Sequence, residues 1–321
     1  MQTTPHFETN IQNFKSKCNI EREALQQWCT SNLLTINIDK TGYIIFSSDK
    51  ITVTNSIHPE NPLQLKINSK EILLLKTIKF LGLHIHKNIK WVDHVQKILK
   101  KISKYVGIFA KLRYYVSRKT LILIYNAFIL PHLEYCIQVW GSDNPSHTYL
   151  QPLLQIQKKL ARIITFSQWD EPAQKLFVQL GWLNIYDIFK HKLKILAHAV
   201  GTNPSEFTYN FPDIKQTNNY SDHYLKNIAP SWPILSKPGD LFILRKTKTA
   251  IGKRAISNQI VSYWNNLEDK LRKTKHTTHF KKTLKKQLVY SPTLYRKYDE
   301  QEMEELTIYI ADTRIKKKFY L

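Results

Sequence analysis

The chain has 321 residues, enough for about two structural units. Its composition, 42% hydrophobic and 12% aromatic, supports packed cores and excludes a protein that is disordered by composition. Lysine and arginine number 48 against 25 acidic residues, and the resulting charge of +23 favours a polyanionic partner, of which nucleic acid is the commonest. A merely basic surface is the alternative, because basic tails can raise the net charge.

Cysteine usage and apolar patterning predict where the chain resides. Cys18, Cys29 and Cys136 form no C-x-x-C pair and leave an odd thiol, which predicts a reducing, intracellular setting, either nucleus or cytoplasm. The first twelve residues lack the apolar core of a signal peptide. The most apolar run, residues 120–136, contains polar residues and a central proline, so it predicts a buried helix and no membrane partner.

The N-terminal part of the chain reads as a small α+β unit. Residues 13–31 predict a helix with one buried face that includes Cys18, Leu25 and Trp28. Further on, β-branched and aromatic runs separated by turn residues predict short strands at residues 41–48, 51–54, 63–67 and 79–85. The segment INSKE, residues 67–71, is typical of a hairpin turn.

The next segment has the clearest helical period in the chain. On a helical wheel, one side carries the apolar residues Val95, Ile98, Leu99, Ile102, Val106 and Phe109. The opposite side carries the lysines Lys97, Lys100, Lys101, Lys104 and Lys111. No acidic residue between Val95 and Lys119 balances these charges, which favours contact with a polyanion over an ordinary solvated face.

The remaining elements are mainly helical. Ser117 is placed to cap a helix that Pro131 should interrupt, and two more helices are predicted at about residues 150–166 and 185–200, the first carrying Lys158, Lys159 and Arg162. Five of the chain's 13 prolines fall between residues 201 and 240, which predicts an extended surface connector. Two short helices, at 252–267 and 279–289, and a basic tail, RIKKKFYL, complete the chain.

Several phrases together resemble the reverse transcriptases of LINE-type (non-LTR, jockey-like) retrotransposons. They are LQQWCTSNLLTINIDKTGYIIF, IKFLGLHIHKNIKWVDHVQKILKKI, LIYNAFILPHLEYCIQVWG, LLQIQKKLARII and SYWNNLEDKLRK, in the family's order. The resemblance implies an α+β palm remnant over residues 1–90 and a mainly α-helical thumb over 91–200. A Pro-rich connector over 201–245 and a helical C-terminal region with a basic tail over 246–321 would follow.

The resemblance also implies roles for particular residues. Lys40, in NIDKT, matches the lysine of the palm's fourth motif and is a candidate general acid for the leaving pyrophosphate. KFLGLHI matches the primer grip, with Phe80, Leu81 and Gly82 beside the primer strand. An ordinary turn lysine and a bulge in a buried strand are the respective alternatives. In the thumb, the five lysines named above would hold the template–primer backbone together with Lys158 and Arg162.

The chain departs from the family at the catalytic centre. Family members hold two Mg²⁺ ions with an aromatic-Ala-Asp-Asp hairpin and a third aspartate, whereas this chain contains no Asp-Asp pair. His84 and His86 share a strand face but lack a third metal ligand, so we predict no metal site and no bound cofactor. The expected protein is a truncated, inactive reverse transcriptase that binds RNA, RNA–DNA hybrid or DNA duplex. Alternatives are a repurposed nucleic-acid-binding protein built on the thumb and a transposon relic.

Overall fold

The computed structural model describes residues 5–46, 65–67, 70–144, 146–203, 215–216, 242–243, 247, 250–274 and 276–290. Over these residues the chain is mainly helical with a small β component, which confirms the predicted class at that level. The predicted strand at 51–54, most of the 201–245 connector and the basic tail lie outside the described residues. Among the helices described, none is long and apolar enough to cross a membrane.

The chain divides into two units, Met1–Gln96 and Lys97–Leu321. Unit 1 begins with helix α1, Pro5–Ser31, and a 3-10 turn at Ile38–Lys40. Short strands follow in the described residues: β1 Gly42–Tyr43, β2 Lys66–Ile67, β3 Lys70–Glu71, β4 Leu73–Leu74, β5 Thr77–Phe80 and β6 Leu83–His86. β1 pairs in parallel with β4, while β2 with β3 and β5 with β6 pair antiparallel. The β2–β3 pairing confirms the hairpin predicted at residues 67–71.

The described residues of unit 1 include a small buried apolar core. Leu65, Ile67 and Ile72 are buried, and Cys18, Ile36, Ile38, Tyr43 and Ile45 pack against them. The predicted buried face of α1 is wrong at Leu25 and Trp28, which are more than half exposed. Leu25 lies seven residues beyond Cys18, or about 10 Å along the helix axis, and the core reached by Cys18 does not extend that far.

Helices α2 to α8 cover the chain from Val92 to Thr202. Their bounds are α2 Val92–Leu112, α3 Arg118–Phe128, α4 Leu130–Glu134, α5 Ile137–Trp140, α6 Gln151–Thr165, α7 Ala173–Leu180 and α8 Ile185–Thr202. The predicted cap is confirmed, because Ser117 Oγ accepts a hydrogen bond from the Thr120 N–H at 3.2 Å. The predicted interruption is confirmed as well, since α3 ends at Phe128 and Pro131 stands in the first turn of α4.

The C-terminal part of unit 2 is more finely divided than predicted. β7, Lys215–Gln216, pairs antiparallel with β8, Phe242–Ile243. Over residues 250–274 and 276–290 the structure has four helices in place of the two expected: α9 Ala250–Lys253, α10 Ile256–Asn265, α11 Asp269–Arg272 and α12 Thr277–Val289. A single apolar period does not reveal the breaks between α9, α10 and α11, each of which lasts only a few residues.

Helix α8 lies at the centre of unit 2, in contact with α4, α5, α10, α11 and α12. Its residues Ile185, Ile188, Phe189, Leu193 and Ala197 are almost fully buried. At its C-terminal end, a Cβ added to Gly201 would overlap the Trp264 ring of α10, so only glycine permits this close approach.

A buried glutamine joins α6 to α3. Gln157 Nε2 donates hydrogen bonds to Tyr125 Oη and to the Leu183 carbonyl oxygen, both at 3.2 Å. The Tyr125 ring in turn stacks on Trp182, with ring centroids 3.6 Å apart. These contacts fix the position of α6, whose other face carries the basic residues discussed below.

The first turn of α8 contains a buried carboxyl group. Asn184 Oδ1 accepts the N–H groups of Tyr186 and Asp187 at 2.9 and 3.0 Å, and Asn184 Nδ2 donates to Asp187 Oδ2 at 2.7 Å. Burial raises the pKa of Asp187 to about 7, against the opposing influence of Lys190, Asn184 and Lys194. Folding therefore favours the protonated form of this carboxyl group.

We expect Asp187 to make stability depend on pH. Below about pH 4 the carboxyl is protonated in both the folded and the unfolded chain, so its contribution to the free energy of unfolding is fully present. As pH rises towards 7, the unfolded chain ionises first and stability falls by up to about 1.4 kcal/mol per pH unit. Asp187→Asn, which keeps an acceptor for Asn184, should remove this dependence in urea unfolding between pH 4 and 8. If the free energy of unfolding falls with pH equally in the wild type and in Asp187→Asn, the prediction is wrong.

Candidate nucleic-acid interface

The two sides of helix α2 differ as its sequence predicts. Val95, Ile98, Ile102 and Phe109 are at most 7% exposed, and Leu99 and Val106 are half-buried. The opposite side carries the exposed lysines Lys97, Lys100, Lys101, Lys104 and Lys111, which we call the lysine face. The predicted segregation of apolar and charged residues is therefore confirmed. The binding role of these lysines stays a prediction.

The lysine face has the length and the charge to follow a polyanion. From Lys97 to Lys111 the helix rises about 21 Å, which is comparable to six steps of a nucleic-acid strand at about 3.4 Å each. No acidic residue occurs in the sequence between Asp93 and Glu134, so Lys100, Lys101, Lys104 and Lys111 have no acidic residue one helical turn away along α2. Ile108, an exposed apolar residue, lies on the same side of the helix.

The basic residues of α6 have different surroundings. Arg162 donates from Nε and Nη2 to the Glu171 carbonyl oxygen at 3.2 and 3.0 Å, and its guanidinium lies 5.7 Å from the Trp169 ring. Lys158 is half-buried, whereas Lys159 is exposed with Nζ 5.9 Å from the same ring. Arg162 thus holds the loop after α6, and any contact with nucleic acid would be additional to this role.

The ends of α2 and α6 meet in a cluster that the sequence reasoning missed. The Arg113 guanidinium lies 4.0 Å from the Phe166 ring and 5.5 Å from the Tyr114 ring. The Tyr114 and Phe166 rings meet edge to face, with centroids 6.5 Å apart. A signal was present in KLRYYVSRK, residues 111–119, where aromatic and basic residues alternate as they do in many nucleic-acid-binding proteins.

Lys40 lies in unit 1, at the end of the 3-10 turn. Its backbone N–H donates to Asn37 Oδ1 at 3.2 Å, and its side chain is exposed. The preceding Asp39 forms an ion pair with Lys70, with Oδ1 and Nζ 2.5 Å apart. The local structure is therefore a capped turn that presents Lys40 at the surface.

The proposed primer grip is a two-residue β-hairpin between β5 and β6. Phe80 pairs with Leu83, and Leu81 and Gly82 form the turn with φ angles of 45° and 84°. Glycine suits such a turn, whereas leucine in the left-handed region is strained. The segment is therefore not a bulge within one strand, and it presents Phe80 and Leu81, 57% and 74% exposed, at its tip.

The histidines of the hairpin have structural contacts. The backbone N–H of His84 donates to His94 Nδ1 at 3.3 Å, and the centroids of the two imidazole rings are 6.2 Å apart. His86 Nδ1 accepts the Asn88 N–H at 3.2 Å. Within the described part of the chain, no group of three or more His, Cys, Asp or Glu residues is arranged to hold a metal ion.

Comparison with known proteins adds no relative. No protein-family model, no curated protein and no solved structure matches the chain. The resemblance to LINE-type reverse transcriptases rests on the phrases quoted above, and the roles that it implies are carried forward as proposals.

The strained tip of the hairpin leads to a prediction. Leu81→Asn should stabilise the hairpin by about 0.5–1 kcal/mol, because asparagine tolerates the left-handed region better than leucine and Asn-Gly suits this type of turn. If the tip contacts the primer strand, the same variant should bind a template–primer duplex more weakly despite its higher stability. Hydrogen exchange of the hairpin amides and fluorescence anisotropy with a labelled RNA–DNA hybrid measure the two effects.

Leu33 offers a matched control in the same unit. It is also an exposed leucine with a positive φ, 57°, and it lies directly after α1. Leu33→Asn should relieve similar strain without changing duplex affinity. Equal affinities for the two variants would show that Leu81 has no part in binding.

Proposed function

We propose that the chain is the palm-and-thumb portion of a LINE-type reverse transcriptase that holds a template–primer duplex without itself polymerising DNA. The observation that carries the proposal is the lysine face of α2. It is an exposed row of five lysines backed by buried apolar residues. A rigid row of cations on a packed helix is well suited to follow the phosphates of a duplex.

The expected binding is electrostatic and independent of sequence. Each phosphate that a lysine neutralises releases condensed counterions, so affinity falls steeply with salt. Contact with about five phosphates gives a log–log salt slope of about −4 to −5 on duplex DNA. Because phosphate contacts carry no base information, RNA, hybrid and DNA duplexes of any sequence should all bind.

Two features of unit 1 support the same proposal. The β5–β6 hairpin presents an apolar tip at the segment that resembles the primer grip. Lys40 is exposed in the segment that resembles the palm's fourth motif, where a cation can offset charge on departing pyrophosphate. In the family that role depends on aspartate-bound Mg²⁺, and this sequence has no Asp-Asp pair to hold it. Binding is accordingly the function we assign.

The lysine face can be tested by its salt dependence. Changing Lys100, Lys101 and Lys104 together to Gln should reduce the magnitude of the slope by about two to three and weaken all duplex sequences alike. These side chains are exposed, so the melting temperature should hardly change. Anisotropy titrations with labelled duplex at several salt concentrations measure both slope and affinity.

Helix α12 provides the control for bulk charge. Lys282, Lys285 and Lys286 are likewise exposed lysines on a helix of unit 2, and their change to Gln removes the same charge. The control variant should keep most of the salt dependence of duplex binding. If it loses as much affinity and slope as the α2 variant, the lysine face is an ordinary solvated surface.

We further expect no templated nucleotide incorporation by the purified chain. A primed RNA template with Mg²⁺ or Mn²⁺ and all four deoxynucleotides should remain unextended, because two-metal catalysis needs aspartates that the sequence lacks. Primer extension on a sequencing gel is the measurement. Template-dependent, metal-dependent extension by homogeneous protein would show that an active site exists elsewhere in the chain.

A further inference from the structure

We infer that the exposed rings of Tyr114, Phe166 and Trp169, here called the aromatic cluster, stack on unpaired nucleobases of a single strand that continues from the duplex held by α2. The inference deepens the proposed function and rests on it. It adds a second kind of contact, to bases, and a second class of substrate, single-stranded nucleic acid.

The rings are placed at the surface and not in a core. Tyr114 is 75% exposed, Trp169 73% and Phe166 51%, although large aromatic side chains usually gain most from burial. Tyr114 and Phe166 meet edge to face, and Trp169 follows Phe166 by three residues in the loop after α6. Tyr114 and Phe166 thus share one aromatic surface, Trp169 stands further along the loop that begins at Phe166, and all three rings are exposed to a ligand.

Each part of the cluster has a cation against it. Arg113 lies 4.0 Å from the Phe166 ring, while Lys159 and Arg162 approach Trp169. Arg113 Nε is buried and has no hydrogen-bond partner among the described residues, and the guanidinium lies against the Phe166 and Tyr114 rings. Arginine planes and aromatic rings together are the surfaces on which unpaired bases stack.

The acidic residues next to Trp169 in the sequence are Asp170, which is exposed, and Glu171, whose carboxylate pairs with Lys175 at 3.5 Å. Glu171 also offers its carbonyl oxygen to Arg162. Basic residues thus outnumber acidic ones, which favours a polyanion over an acidic protein segment as the occupant.

The backbone at Phe166 is strained. Phe166 ends α6 in the left-handed conformation, with φ 59° and ψ 26°. Glycine is the usual residue at this position, and Gly181 occupies the equivalent position at the end of α7 with φ 64°. The chain thus has an exposed phenylalanine where glycine would adopt the backbone conformation at a lower free-energy cost. Contact of the ring with a ligand accounts for this cost.

The position of the cluster connects it to the lysine face. Tyr114 lies three residues after Lys111, the last lysine of that face, so a strand whose phosphates follow α2 reaches the rings at the end of the helix. Bases that are paired within a duplex cannot stack on protein rings from this position. Unpaired bases can, and the cluster therefore fits the point where a duplex gives way to a single strand.

The test compares oligonucleotides that differ only in their bases. Labelled single strands of thymidylate and of abasic backbone, equal in length and phosphate number, are titrated by anisotropy together with a blunt duplex. The variants are Phe166→Leu and its matched control Phe128→Leu, a phenylalanine with the same 51% exposure at the end of α3. Phe166→Gly removes the ring but suits the left-handed backbone, so it shows whether a loss of binding comes from the missing ring or from misfolding. Its melting temperature should equal or exceed that of the wild type.

We expect the wild type to bind the thymidylate strand at least about 10-fold more tightly than the abasic strand, as stacking of one to two bases provides. Phe166→Leu and Phe166→Gly should lower this ratio about 5-fold or more, while Phe128→Leu leaves it unchanged and all variants bind the duplex equally. Equal binding of both single strands by the wild type, or equal ratios for Phe166→Leu and Phe128→Leu, would overturn the inference.

The failure of the proposed function has a different signature. If duplex binding is absent or independent of salt while the base-dependent ratio remains, the lysine face fails and the aromatic cluster stands as a single-strand site. If duplex binding shows the expected salt slope but the wild type binds the thymidylate and abasic strands equally, the aromatic cluster has another role and the inference is wrong.

Discussion

The burial of helix α8 is the constraint on which unit 2 depends. Helices α4, α5, α10, α11 and α12 pack against it, and its apolar residues are almost fully buried. The packing leaves so little space at Gly201 that the Trp264 ring lies where any side chain would be. His198, also on α8, stacks on Phe280 with centroids 3.9 Å apart and ties α8 to α12. Helices that are close in space but distant in sequence are thereby held in one arrangement.

The positions of the charges in α2 follow from the burial of its own apolar side. A lysine costs several kcal/mol to bury without a partner, so each amphipathic helix that packs by its apolar side must present its lysines to water. In α2 this rule is followed over the whole helix, from buried Val95 to exposed Lys111. The result is a rigid array of cations whose spacing is set by the helix rather than by flexible tails. Rigid cations lose less entropy on binding a polyanion than mobile ones do.

Among the described residues, five that are not glycine have positive φ angles, which glycine or asparagine would adopt more easily: Leu33, Leu81, Ile89, Cys136 and Phe166. Leu81 in unit 1 and Phe166 in unit 2 both have positive φ angles and exposed side chains. Each conformation costs about 1–2 kcal/mol, which neither residue recovers through complete burial. Leu33, to which we assign no role in binding, is exposed and has a positive φ as well, so strain alone does not mark a binding residue. Leu81 and Phe166 differ from it because they belong to the segments that we propose to bind nucleic acid.

The sequence by itself determined the helix α2 and its charged face, the cap at Ser117, the break before Pro131 and the hairpin at residues 67–71. Each of these depends on residues within a few positions of one another, so periodicity and local hydrogen bonding are sufficient. Only the tertiary structure decided that Leu25 is exposed and that Arg113 meets Phe166 across 53 residues of chain. Burial and contact between distant segments depend on which helix faces find partners, and that is a property of the packed molecule rather than of any local pattern.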